Sequence, residues 1–85
     1  MGKIGFRDVG TDPFVYEEIA SGSSVAVGLD NSDSDKFKIA VAAAAGATPS
    51  STAQLTIDQS ANGNVTVSPN GTGKLDVIFY PLYLA

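Results

Sequence analysis

Apolar and polar residues alternate along most of this chain with a period of two. Val25, Val27 and Leu29 fall on one side of Ser24–Leu29, and Phe37, Ile39 and Val41 do the same in Lys36–Val41. Leu55 and Ile57 alternate with Thr56 and Asp58, and Val65 and Val67 flank Thr66. A period of two puts alternate side chains on opposite faces of a strand. Shorter or less regular β-rich runs cover Ile4–Arg7, Phe14–Ile19 after Pro13, and Leu75–Tyr80 before Pro81. Seven short strands with turn residues between them predict an all-β fold. Within Lys36–Val41 the alternation predicts that Phe37 and Ile39 are buried and that Lys36 and Lys38 face water.

The connectors carry turn chemistry. Asn62-Gly63 lies between two alternating runs, which predicts a hairpin with both central residues at φ > 0. Pro69-Asn70-Gly71 predicts a second turn. Ala40–Ala45 supports two readings. Its first half continues the alternation of the strand before it, so a strand running into a loop is preferred. Ala is also the best helix former, and Gly46 and Pro49 would end a short helical turn.

Composition narrows the chemistry. The sequence of 85 residues has neither Cys nor His, which removes disulfides, thiolate and imidazole metal sites, and His-based catalysis. A Ser nucleophile would have no His base. Glu17 and Glu18, adjacent on a strand, would point to opposite faces and could not share a site. The glycines lack the spacing of a phosphate loop. No enzymatic activity, catalytic residue or cofactor is expected. The net charge is −4, and the five basic residues, Lys3, Arg7, Lys36, Lys38 and Lys74, form no stripe that would bind nucleic acid. No apolar run is long enough for a membrane span, and no charged-then-apolar leader pattern opens the chain. The expectation is a protein made in the cytosol without an export signal and without membrane insertion. A chain this short, with a core diluted by Ala and no covalent staples, points to oligomerisation.

Asp30-Asn31-Ser32-Asp33-Ser34-Asp35 places three carboxylates in six residues. Clustered oxygens suit Ca²⁺, but the spacing lacks the glycine and the distal glutamate of an EF-hand loop. The preferred reading is a structural turn whose Asx and Ser side chains accept backbone N–H bonds, with no metal. Tyr16, Phe37, Phe79, Tyr80 and Tyr83 are the larger aromatics that could form a carbohydrate platform, but aromatics at strand positions are more often core. The apolar run Tyr80–Ala85 reads as a segment that packs on a neighbouring subunit or as one that continues into a longer protein.

Gly28-Leu29-Asp30-Asn31-Ser32-Asp33-Ser34-Asp35-Lys36-Phe37-Lys38-Ile39, followed by Leu55-Thr56-Ile57-Asp58 and Asn62-Gly63-Asn64-Val65, resembles a repeat of bacteriophage tail-fibre and tailspike proteins. Lys74-Leu75-Asp76-Val77 is similar to a motif that trails the repeat. The resemblance covers roughly residues 22–77. It implies an elongated, homotrimeric β-structure in the virion tail that serves as shaft, connector or receptor-binding module. It also implies other tail or fibre proteins and a host-surface glycan or protein receptor as partners. The family carries no catalytic residue on this repeat. On this reading residues 1–20 are an N-terminal strand and attachment segment, 21–80 the repeat, and 81–85 a C-terminal tail. The alternative is a bacterial surface adhesin or a prophage-derived interaction module.

Overall fold

The protein is all-β. A computed structural model describes residues 2–9 and 12–78, with the side chain of Val9 excepted. Six strands form one antiparallel sheet in chain order: β1 (Lys3–Val9), β2 (Asp12–Glu18), β3 (Ser24–Asp30), β4 (Lys36–Ala42), β5 (Leu55–Ile57) and β6 (Val65–Val67). Each strand pairs with the next, as expected of short β-rich runs joined by turns.

The register sorts the residues by size. One face carries a row across all six strands, Phe6–Val15–Val27–Ile39–Leu55–Val67, in which every member is apolar. A neighbouring row on the opposite face reads Arg7–Phe14–Gly28–Lys38–Thr56–Thr66. Beside it, Gly5, Tyr16, Ala26 and Ala40 are aligned. On this second face Gly28, Ala26 and Ala40 form a low region of β3 and β4 beside Phe14 and Tyr16, which leaves room for something to lie on it.

The loop 43–54 fills that room. Ala47 packs with Phe14 and Ala26 in a small core, and Tyr16 and Ala42 close its sides. Pro49 is fully buried. Ser24 fastens the loop at two points: its Oγ donates to the Ala44 carbonyl (2.6 Å) and accepts from the Ala47 N–H (3.0 Å). Glu18 Oε2 accepts from the Gly46 N–H (3.1 Å). Gly28 has to be a glycine because a Cβ there would lie 2.3 Å from the Pro13 carbonyl and 2.5 Å from Phe14 Cβ. The Ala-rich run thus ends β4 at Ala42 and continues as the covering loop, the preferred of its two readings.

Three sequence expectations are corrected. Leu75–Ile78 joins no strand among the described residues and is exposed, because no neighbouring edge reaches its backbone. Residues 79–85, including the rest of that expected strand and the apolar tail, lie outside the described residues. Asn62-Gly63 does not form a two-residue hairpin. The β5–β6 connection is the longer loop 58–64, closed by Asp58 N–H donating to the Asn64 carbonyl (3.0 Å), with a turn inside it where Gly63 N–H donates to the Ser60 carbonyl (2.9 Å). Gly63 is required by close approach, since a Cβ would lie 2.3 Å from the Asp58 carbonyl, and positive φ is found instead at Gly71 (56°) in the second turn.

The third correction concerns which face is covered. The alternation of β4 is as expected, but the loop lies over the face that carries the lysines. Lys38 is only 12% exposed, and Lys36 is 27% exposed. Phe37 and Ile39 are half-buried, and Val41 is exposed. Alternation fixes which residues share a face; it does not say which face meets the loop.

Candidate functional site

Two features stand out from the sheet: a polar lock at the β3–β4 turn and an uncovered apolar face. The lock begins with Asp30, which ends β3 almost fully buried. Its carboxylate caps the 3₁₀ turn Asn31–Asp33 by accepting from Ser32 N–H (3.1 Å) and Ser32 Oγ. Ser34 and Asp35 then adopt left-handed backbone (φ 57° and 59°), a conformation in which Asp is better tolerated than most residues. This reverses the chain so that Lys38 comes back over Asp30. Lys38 Nζ donates to Asp30 Oδ2 (2.7 Å) and reaches Asp33 Oδ2 (2.8 Å), while Lys36 Nζ bonds Asp33 Oδ1 (3.1 Å). From β2, Asp12 Oδ1 accepts the Asn31 N–H (2.7 Å) and ties the turn to the neighbouring hairpin.

The acidic turn is thus held in part as expected, with Asp30 accepting a backbone N–H, and in part by Asp12 from outside the turn. Asp30 and Asp12 accept the N–H groups. Asn31 contributes its backbone donor, and Asp33 faces the two lysines. Among the described residues, no group of three or more His, Cys, Asp or Glu is arranged to hold a metal ion. Glu17 and Glu18 lie on opposite faces: Glu17 is exposed, and Glu18 holds the loop and stands 3.8 Å from Lys3. Tyr16 packs beside the core with the Arg7 guanidinium 4.1 Å above its ring, and Phe37 stands on the other face between Leu29 and Ile57. These two aromatics form no common platform, and Phe79, Tyr80 and Tyr83 lie outside the described residues.

The lock sets the protonation of its members. Burial pushes the Asp30 carboxyl up, but hydrogen bonds from Lys38 and Ser32 and the Lys38 charge outweigh it and hold its pKa below the ordinary 3.8. Hydrogen bonds from Lys38 and Lys36 lower Asp33 likewise. Burial alone would lower Lys38, yet Asp30 and Asp33 together raise it above 10.5. Asp58 is lowered chiefly by the Ser60 backbone N–H. A carboxylate depressed in the folded state contributes stability that is present above its unfolded pKa and is lost as pH falls through the folded pKa. Thermal melts should therefore be level between about pH 5 and 8 and fall below about pH 4. Asp30→Asn should flatten that acid limb; an unchanged limb in this variant would remove Asp30 as its source.

The second feature is the face opposite the loop. The central apolar row is flanked by Val25 paired with Val41, and by Leu29, Phe37, Ile57 and Val65. Exposure is greatest toward its edges, 87% at Phe6, 74% at Ile4 and 66% at Val65. Its acidic members, Asp8 and Glu17, sit in β1 and β2 away from the centre. A shallow hollow near Ile4, Glu17, Ile19 and Val25 is continuous with this face. The signal was present in the sequence as four clean alternations and two less regular β-rich runs, but only the register aligns them into one surface. No family model, curated protein or solved structure matches the chain. No helix of the described residues is long and apolar enough to cross a membrane.

Proposed function

We propose that the chain is a non-catalytic structural module of a bacteriophage tail fibre or tailspike, assembled as a homotrimer and contributing to host attachment. The observation that carries the assembly half of this reading is the apolar face, which runs across six strands, exposed at its rim and half-buried at Val27, Ile39 and Leu55, and on which no core cluster forms among the described residues. Exposed apolar surface of that extent marks an interaction site. The tail-fibre half rests on the resemblance of Gly28–Ile39 and the segments after it. The turn at the centre of that resemblance is tied by ion pairs and hydrogen bonds to its own strands and to Asp12 of β2, which suits a structural repeat better than a reaction centre.

Light scattering on the purified protein tests the reading. A mass of three chains, persisting on dilution, is the expected result, and a stable monomer would overturn the assembly. A gene neighbourhood of tail components is expected beside the coding sequence. One of surface-export and adhesin genes would favour a bacterial adhesin instead.

A further inference from the structure

We infer that the apolar face of the sheet, centred on the row Phe6–Val15–Val27–Ile39–Leu55–Val67, is the seam on which copies of this chain meet. The inference rests on the proposed assembly only for the number of copies, not for the face. Three observations carry it.

The first is area. The chain exposes 6254 Å², whereas a folded monomer of 8.7 kDa is expected to expose about 4,700 Å². Part of the excess belongs to the exposed stretch 68–78. The face itself can be sized from the strands: four of seven residues and two of three, at about 16 Å² of sheet per residue, make a face on the order of 550 Å² before side-chain relief is counted. A standard interface takes about 800 Å² of accessible surface from each partner. The radius of gyration, 15.6 Å, against about 12 Å for a compact chain of this length, describes an extended shape to which the single-layer sheet and the stretch 68–78 both contribute.

The second observation is the poverty of the covered side. The buried hydrophobic side chains there are Phe14, Ala26, Ala40 and Ala47, three of them alanines. So small a core does little to offset the entropy of ordering a domain this size. The open face has to be covered whenever the sheet persists, so its occupant has to be present whenever the chain folds. A copy of the same chain meets that condition without a second gene product.

The third is charge. The lock residues Asp12, Asp30, Lys36 and Lys38 all lie on the loop side, while the central row of the open face has no ionisable member. Two such faces can meet without burying a charge at the centre, which is where burial of an unpaired charge is most costly.

The native chain has no cysteine, so single thiols report each face separately. Phe6→Cys and Val65→Cys place a thiol on the open face, and Thr66→Cys places one on the opposite side of β6. Each variant is treated with a thiol reagent under native conditions while its mass is followed by light scattering. The expected result is a multi-chain mass with both open-face thiols reacting at least about tenfold more slowly than Thr66→Cys, and equalised by denaturant. A dimer with protected thiols keeps the seam and removes the trimer. A trimer whose open-face thiols react as fast as Thr66→Cys removes the seam and leaves the trimer. Protected thiols in a single-chain mass would overturn the inference and assign the face to another segment of the same chain. Reactive thiols in a single-chain mass would overturn both. Val27→Asp, which puts a carboxylate in the centre of the row, should abolish the multi-chain mass, whereas Thr66→Asp should preserve it.

Discussion

Lys38→Ala should destabilise the protein by about 3–5 kcal/mol, as expected when one partner of a buried ion pair is removed. The substitution leaves Asp30, whose side chain is 3% exposed, without the ammonium that neutralises it at 2.7 Å. Asp30 keeps its bonds from Ser32, but these do not supply the missing charge. Lys36→Ala is the control. Among the described residues Lys36 pairs only with Asp33, whose side chain is 44% exposed, so its loss should fall within about 1 kcal/mol. The double variant Asp30→Asn with Lys38→Met should be milder than Lys38→Ala alone, because no charge is then stranded. Urea unfolding at one fixed protomer concentration measures all three, since assembly makes apparent stability depend on concentration. Equal costs for Lys36→Ala and Lys38→Ala would show that the lock contributes little.

That contrast also shows how much the sequence disclosed. The six strands that form were legible, because period-two alternation and turn residues are local signals and both survive in the sheet. Leu75–Ile78 carried a similar local pattern and joined no strand, since a strand needs a partner edge as well as a propensity. The turn after Asp30 was legible as a structural device, but its working residues were not. Asp12, which holds the Asn31 N–H, is 19 positions away and reaches it only through the pairing of β2 with β3. The largest misreading, that both lysines face water, had a physical source. In β4 the apolar side chains are expected inside, yet here the chain lays its own loop over the face that carries Phe14, the small residues of β3 and β4 and the lysine stems, and leaves the face of Phe37 and Ile39 without it. The lysine heads are tolerated under that arrangement because the acidic turn supplies carboxylates at bonding distance.

Phe14→Ala should cost about 3–5 kcal/mol, the usual effect of truncating a buried phenylalanine. Phe14 is the one large side chain among the buried hydrophobics, at 5% exposure, and its neighbours Ala26 and Ala47 are too short to close the space it would leave. Gly28 beneath it offers no side chain at all. The loop 43–54 would then be held by hydrogen bonds each worth about 1 kcal/mol, from Ser24 at Ala44 and Ala47, from Glu18 at Gly46, and at its far end between Gln54 and Ile39 and Val41 of β4. Limited proteolysis of Phe14→Ala should therefore cut within 43–54 faster than in the parent protein and before global unfolding. Val15→Ala, one residue away on the open face and 38% exposed in the single chain, should leave cleavage of the loop unchanged even where it weakens assembly. If Phe14→Ala and Val15→Ala loosen the loop equally, the loop is not anchored through Phe14. The two faces of β2 would then act as one unit, rather than as an internal core backed by an interaction surface.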